Sequence, residues 1–555
     1  MRVAEALVDR LTGYGVQYFF MLTGGDQPLW IALHDAGIKM VVARSEFSAV
    51  YMADGYARAS KKPGIAYGQA GPGAANVASA LADPFWAQSP VFALTGANST
   101  KTNYLGEYQS LDQMPMFAPV TKWSGYAANA AKVPQLVSLA ISQSLSGSQG
   151  PTHLDVPKDF FGLEIEYQAG SASSVSAVAA IPPEAGSLDR ACQAMMAAKR
   201  PVILAGDGAV QARAGEELVK LAETLGVPVA TTMGGKTAIP SDHSLNIGVV
   251  GRYSSIAANE LVAQSDCVLV VGSRLGGLAT RGYSIPDQNA RIISINTDPD
   301  AFDVSYSMEI KLLSDAKLTL EAMASELSGR RLSGPAQEWV RGAKRRVEEW
   351  RSEVTRATRD ASDQEYLSPF QVIDAMSPYN REITLVADTG YMAAWTGVLF
   401  PTVTADSFFR AIGSLGWAFP ASLGVQLARK EKVVCVTGDG GIGYHLADIE
   451  TAVRHRIPVI VVVLNNNGLV FEYHEQKYRH DGNVVPEAND LTEVDYSAAA
   501  QALGAQASRV TTREEFEVAF KRALDHEGPT VLDVVVDREA FPPVTNFERA
   551  MQRKI

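Results

Sequence analysis

Residues Val434–Gly468 read VCVTGDGGIGYHLADIETAVRHRIPVIVVVLNNNG: a β-branched run, a glycine turn holding one acid, a helical stretch, a second β-branched run and three asparagines. Ile442, Leu446, Ile449 and Val453 step by four, three and four, which predicts one apolar helix face. Strand, helix and strand in that order predict a right-handed crossover, whose two strand ends lie side by side at one edge of a parallel sheet. Asp439 and the run Asn465–Asn467 are then expected to face each other across a crevice. Gly440 and Gly441 predict a sharp turn with close backbone approach, ahead of a helix N-terminus whose free N–H groups favour phosphate. One carboxylate, one amide oxygen and a backbone carbonyl make a partial oxygen cage, which a hard cation such as magnesium completes with phosphate oxygens and water. Taken alone, the Gly-Asp-Gly also reads as a helix cap and the asparagines as a turn. A plain P-loop is excluded, because no Gly-Lys-Ser/Thr follows the glycines.

The same order recurs near the amino end. GIAYGQAGPGAANVASALADPFWAQSPVFALTGAN, Gly64–Asn98, runs strand, glycine turn, helix and Ser-Pro-Val strand, where the later copy has Ile-Pro-Val. Laying Gly71 on Asp439 puts Pro90 on Pro458 and Asn98 on Asn466. Two α/β units of one layout are therefore expected, and only the later one carries the acid. Between them, runs such as RPVILAG (Arg200–Gly206) and ARIISINTD (Ala290–Asp298) alternate with helical patterns, which predicts another parallel sheet wrapped by helices. Two stretches read as linkers: small, proline-bearing YQAGSASSVSAVAAIPPEAGS (167–187), and the charge-rich segment 328–364, expected to be partly helical. They divide the 555 residues near 1–168, 186–328 and 365–555, three domains of ordinary size.

The net charge of -12 is spread along the chain, and no basic cluster is available for a run of phosphates. Neither nucleic acid nor an anionic membrane surface is expected as a partner. The apolar run IPVIVVVL has strand length, well short of the ~20 residues of a bilayer span. The opening MRVAEALVDRLTGYG is interrupted by an acid at Glu5 and does not read as a signal peptide, so a cytoplasmic protein is expected. Cys192, Cys267 and Cys435 stand singly in apolar or helical contexts, which predicts buried thiols rather than disulfides or a zinc site.

Gly-Asp-Gly followed, after one helix and one strand, by paired asparagines resembles the diphosphate motif of thiamine-diphosphate enzymes. By that resemblance Asp439 and Asn466 supply side-chain oxygens to magnesium (Mg2+), Gly468 supplies its carbonyl, and Gly440 and Gly441 lie against the diphosphate. Such a cofactor needs a second acid to hydrogen-bond its aminopyrimidine. KMVVARSEFSAVYMADGYARAS, Lys39–Ser60, offers Glu46 where an apolar strand meets a helix bearing Ala49, Met52, Ala53 and Tyr56. Desolvation there disfavours the free anion, so the carboxyl can share a proton with a ring nitrogen. Ser45 with Glu46 also makes a serviceable helix start. Arg44–Arg58 is similar to the Arg-x-Glu-x-x-Ala-x-x-Met/Ala-Ala-x-Gly-Tyr-Ala-Arg stretch that carries the catalytic glutamate in the acetolactate synthase-like branch, the pyruvate oxidase and decarboxylase superfamily. GQAGPGAANVASALADPFWAQSPVFALTG, YQSLDQMPMFAPVTKW, GPTHLDVPKDF, DTGYMAAW and GSLGWAFPASLGVQLA resemble further segments of that branch in the same order, so the likeness spans the chain.

The resemblance implies three Rossmann-like or flavodoxin-like parallel-sheet domains: pyrimidine-binding (1–168), central (186–328) and diphosphate/Mg-binding (365–555). Glu46 and Asn76 are then expected on the cofactor, Gln109 in the substrate pocket and Lys158 at its mouth. Gly390 and Tyr391 begin a loop beside the diphosphate, and Gly413 offers its backbone to the aminopyrimidine. Leu415 is either the apolar wedge that bends the cofactor or an ordinary core leucine. Glu472 stands where keto-acid decarboxylases place a proton-donating glutamate. In the family, the pyrimidine domain of one subunit meets the diphosphate domain of another, so a homodimer is the smallest competent unit and a homotetramer is common. Some relatives bind FAD or ADP in the central domain. Gly206-x-Gly208 and Gly276-Gly277 are turns of that kind, although SRLGGLATRGYS (273–284) departs from the synthases' Arg-Phe-Asp-Asp-Arg stretch. NNNGLVFEYHEQKY lacks the tryptophan that shapes the synthases' acceptor site, and GANSTKTNYLGEYQ lacks the adjacent histidines of the decarboxylases. His474 and His480 are read as exposed loop histidines, with service as an acid or base the alternative. The implied activity joins decarboxylation of a 2-oxo acid, or cleavage of an acyl donor, to carboligation with a carbonyl acceptor. The alternatives are simple decarboxylation, a 2-hydroxyacyl-CoA lyase, and a non-catalytic cofactor-binding regulator.

Overall fold

In a computed structural model the described residues are 1–102, 105–170, 179–360 and 366–544. Residues 171–178 of the first expected linker, 361–364 of the second, and 103–104 of the segment without paired histidines lie outside them. The described residues form three sheets of six strands, every pairing parallel. The first holds β1 (Tyr18–Met21), β2 (Lys39–Val42), β3 (Gly64–Gly68), β4 (Val91–Ala97), β5 (Trp123–Tyr126) and β6 (Thr152–Pro157), in the order β2-β1-β3-β4-β6-β5. The second holds β7 (Pro201–Ala205), β8 (Val229–Thr231), β9 (Asn246–Val249), β10 (Cys267–Val271), β11 (Arg291–Asn296) and β12 (Ile310–Leu313). Its order, β12-β11-β10-β7-β8-β9, reverses between β7 and β10 as in dinucleotide-binding sheets. The third holds β13 (Ile383–Ala387), β14 (Phe408–Arg410), β15 (Lys432–Gly438), β16 (Ile460–Asn465), β17 (Gln506–Val510) and β18 (Thr530–Val535), in the order β14-β13-β15-β16-β18-β17.

First and third sheets thus share one topology, and the alignment of Gly71 with Asp439 lays Gly64–Gly68 on the first residues of β15. Strands such as β4 and β16 are buried throughout, which is why they read as continuous β-branched runs. The charge-rich second linker is helical over Gly334–Asp360, in keeping with the partial helix expected. Trp339, Ala343, Val347, Trp350 and Val354 form a stripe along it that packs on the central core. The helix expected over Ile442–Val453 is instead two short ones, Asp439–Gly443 and Asp448–Arg454. Between them the amides of Tyr444, His445 and Asp448 each bond the carbonyl three residues back, tightening the chain into turns. The apolar face survives the break, with Ile442 and Ile449 buried and Leu446 and Val453 packed on the same core.

One core joins the outer two sheets, including Phe20, Tyr51, Met52, Trp417 and Phe419. At its centre the helices Glu46–Ser60 and Ala418–Ala428 cross backbone to backbone. A Cβ on Gly55 would run into the Ala421 carbonyl, and one on Gly424 into that of Met52. All three cysteines are buried and free, and burial raises their thiols to about 11 at Cys192 and about 12 at Cys267, and well above the ordinary thiol value at Cys435. Among the described residues no helix is long and apolar enough to cross a membrane.

Candidate functional site

β15 and β16 are neighbours, with Gly438 opposite Leu464, so Asp439 and the asparagines emerge together from one sheet edge. Asp439 is buried; its Oδ1 accepts the Gly440 N–H (2.8 Å), and its Oδ2 accepts those of Asn466 (3.2 Å) and Gly468 (2.9 Å). Burial pushes its carboxyl upward, and these amides pull it back. The Asn466 side-chain oxygen is buried without a protein partner. Gly468 bridges Asp490 through its neighbours, Leu469 N–H to Asn489 (2.7 Å) and Leu491 N–H to Asn467 (2.9 Å), which leaves its own carbonyl outside that pairing. Gly440 and Gly441 were expected to turn the chain sharply with close backbone approach. Neither has a positive φ; both lie in the helix Asp439–Gly443, and their lack of a Cβ serves close packing instead. A Cβ on Gly441 would press on Thr437 Oγ1 (2.5 Å) and Asp388 Oδ2 (2.6 Å). Hard oxygens from a carboxylate, an orphaned amide and a carbonyl fit a divalent cation of the magnesium type.

Asp388 ties this edge to the next loop. Fully buried, it accepts from the Thr437 hydroxyl (2.8 Å) and the Gly416 N–H (3.1 Å), and burial pushes its carboxyl up to about 6. Gly413 is exposed and Leu415 half-buried, so Leu415 stands at a surface rather than in the core. Gly390, with φ of +66, starts the helix of buried Tyr391, whose hydroxyl meets His474 Nδ1 at 2.8 Å. His474 is not the exposed loop residue expected. It is fully buried on the helix Val470–Arg479 and stacked on Phe541 at 4.1 Å, because that segment is helical and turns it inward. His480 is exposed. Glu472 sits on the exposed side of the same helix.

Glu46 begins its helix beside β1, buried to 8% exposure, and its Oε2 accepts the Asn76 amide at 3.0 Å. Asn76 therefore orients the acid. Gln109, at φ +63, packs its backbone on Gly71 and accepts from the Gln69 amide at 3.2 Å. Lys158 pairs with Glu107. Among the described residues no hydrogen bond or ion pair joins Glu46 to the Asp439 group; the two stand on different sheets.

Gly208, Gly272, Gly276 and Gly277 line a cavity of about 800 Å³ at the strand reversal of the central sheet, with Arg252, Arg274 and Arg410 on its walls. Several residues escaped the sequence reading. Asp26 is buried and bonded by the Tyr67 hydroxyl, with burial raising its carboxyl. Asp83 and Asp448 are buried acids at the junction of the outer domains. The available signal was a lone acid in an apolar run, as in SALADPFW, which names no partner.

Comparison with known proteins adds three family matches and several relatives. Residues 1–116 match the thiamine pyrophosphate enzyme N-terminal TPP binding domain, 188–323 the central domain and 388–534 the C-terminal TPP binding domain. A probable acetolactate synthase large subunit of Methanococcus aeolicus is 29% identical, over 100% of this chain and 96% of its own. The sulfoacetaldehyde acetyltransferase of Alcaligenes xylosoxydans xylosoxydans is 31% identical, over 98% and 94%. Acetolactate synthase isozyme 3 large subunit of Escherichia coli (strain K12) is 29% identical, over 96% and 94%.

Proposed function

This chain belongs to the acetolactate synthase-like thiamine pyrophosphate enzymes, and on that premise we propose that it cleaves a 2-oxo acid donor and ligates the acyl fragment to a carbonyl acceptor. The observation that carries the reading is the oxygen cluster of Asp439, Asn466 and Gly468 at the edge of the last sheet, in a chain whose first sheet buries Glu46. Asp439, Asn466 and the Gly468 carbonyl would hold Mg2+, with Gly440, Gly441, Gly390 and Tyr391 beside the diphosphate of thiamine diphosphate. The cofactor supplies an electron sink for breaking a bond next to a carbonyl carbon. Glu46, buried and oriented by Asn76, would hydrogen-bond the aminopyrimidine ring. Gly413 and Leu415 would press on the same ring, Gln109 would line the substrate pocket, and Glu472 would donate a proton to the departing product. A partner subunit would bring its Glu46 to this chain's Asp439, in a homodimer or a dimer of dimers. A nucleotide such as ADP or FAD is the proposed occupant of the central cavity, whose three arginines suit a diphosphate.

Acetyl transfer is a second reading, favoured by the 31% identity to a relative named sulfoacetaldehyde acetyltransferase. The test is incubation with thiamine diphosphate, Mg2+ and a panel of 2-oxo acids and sulfoacetaldehyde, with carbonyl acceptors present, followed by product analysis. Release of carbon dioxide with a ligated product supports ligation, and release with free aldehyde supports simple decarboxylation. Loss of turnover by about 10²–10⁴-fold in Glu46→Gln, with cofactor still bound, supports the role of the acid. No turnover on any donor would overturn the enzyme reading in favour of a cofactor-binding regulator.

A further inference from the structure

We infer that two buried acids, Asp83 and Asp448, are reciprocal latches through which each outer domain positions the loop that the other presents to the cofactor. The inference rests on the proposed roles of Glu46, Gly413 and Leu415. Asp83, on the short helix Ala82–Trp86 of the first domain, reaches the last one. Its carboxylate accepts three successive backbone N–H groups: Ile412 (3.1 Å to each oxygen), Gly413 (3.0 Å) and Ser414 (2.9 Å). Arg58 donates to the same carboxylate at 3.1 Å and to the Arg410 carbonyl at 2.8 Å, just before the loop. Asp54 accepts the Trp417 indole N–H at 2.9 Å, just after it. The loop of Gly413 and Leu415 is therefore gripped before, along and after by side chains of the other domain.

The grip is returned. Asp448, at the start of the helix Asp448–Arg454 in the last domain, accepts the Arg44 N–H at 2.9 Å and the Ser48 hydroxyl at 2.5 Å. Those two residues flank Glu46 on either side. His445 adds a bond to the Ser48 hydroxyl at 2.9 Å, and Glu450 pairs with Arg44 at 2.7 Å. The two grips are related by the internal repeat. Laying Gly71 on Asp439 lays Arg44 on Ile412, the leading backbone donor of each loop. It lays Asp83 on Thr451, whose hydroxyl donates to Asp448 at 2.9 Å. Each domain has thus placed an acid one short helix beyond its glycine turn, aimed at the other's cofactor loop.

Carboxylates are required here by their capacity. One carboxylate offers about four acceptor positions and no donor, and its bonds from N–H groups are charge-assisted. An amide in its place has one accepting oxygen and turns its own N–H groups toward the loop's. Cutting these bonds loosens a loop that is neither helix nor strand between Ala411 and Trp417, while the Asp439 carboxylate keeps its own backbone donors. Asp83 and Asp448 are positioning residues: they touch the loops, not the reacting atoms.

Amide hydrogen exchange on the full chain, without cofactor, tests this directly. In the wild type, Ile412, Gly413 and Ser414 should exchange about a hundredfold more slowly than an unstructured peptide, although Gly413 is exposed. Asp83→Asn should remove that protection and leave the Asp439–Gly441 amides unchanged. It should lower kcat by about a hundredfold, as a misplaced loop would. The Kd of thiamine diphosphate with Mg2+, read by quenching of intrinsic fluorescence, should weaken by about tenfold at most and by less than kcat falls, because the metal cluster proposed to hold the diphosphate keeps its own backbone donors. Asp448→Asn should release the Arg44 amide and lower kcat without affecting residues 412–414. Free exchange of those amides in the wild type would overturn the proposal, and needs no variant to fold. So would a kcat unchanged in Asp83→Asn, or a Kd that weakens as much as kcat falls. Absence of cofactor binding in the wild type would sink the functional reading instead, while the exchange pattern would still report on the latches.

Discussion

A buried carboxamide oxygen left unbonded costs about 1–3 kcal/mol, yet Asn466 keeps one, while its own backbone N–H is one of three that the Asp439 carboxylate accepts. The proposed cation between them would account for both. Asp439→Ala should therefore leave the fold intact and weaken Mg2+-dependent binding of thiamine diphosphate by at least ~100-fold, since loss of outer-shell partners alone costs up to about that. Calorimetric titration of the variant with both ligands checks it. Asp155 provides a pH test elsewhere in the first sheet. Bonded by the Thr95 hydroxyl and the Gln113 amide, each at 2.8 Å, it is pushed by burial up to about 7 from the ordinary 3.8. A folded pKa above the unfolded one means that the folded form holds the proton more tightly. Its stabilisation is then full below about pH 4 and lost as pH rises through about 7. Asp155→Asn should flatten that part of the stability profile in denaturant titrations from about pH 4 to 8; equal slopes in variant and wild type would contradict it. At this scale Asp439 and Asn466 were legible, because adjacent parallel strands bring their ends together whatever lies between. Asp83 was not, because its partner Ile412 is 329 positions away and nothing local names it.

Among the elements, the helix crossing at Gly55 and Gly424 has no room for a methyl group. Gly424→Ala should destabilise the protein by about 1–3 kcal/mol through overpacking, seen as a lower urea midpoint with an unchanged slope; an unchanged midpoint would mean that the helices part freely. The strands were readable as β-branched runs bounded by glycine and proline. The break between Gly443 and Asp448 was not, since Ile442, Leu446, Ile449 and Val453 face the core with helical spacing whether or not the backbone stays helical. The inward turn of His474 was missed for a related reason. The segment after the asparagines was taken as a loop, whereas Val470–Arg479 is a helix with His474 on its buried face.

For the molecule as a whole, the repeat was visible because two prolines and two strand ends kept their spacing, and the identical strand orders of the first and third sheets follow from it. How the two copies sit against each other was not visible, because it depends on the glycine crossing and on acids whose partners lie hundreds of residues off. Among the described residues those contacts run from Asp83 to Ile412–Ser414 and from Asp448 to Arg44 and Ser48, and no hydrogen bond or ion pair runs from Glu46 to Asp439. On the proposed function, the acid and the metal cluster that share a cofactor belong to different subunits. Co-expression of the inactive variants Glu46→Gln and Asp439→Ala tests it most directly. A mixed dimer carries one intact pairing, so random assembly should restore roughly a quarter of wild-type activity; a mixture as inactive as its parents would contradict the claim.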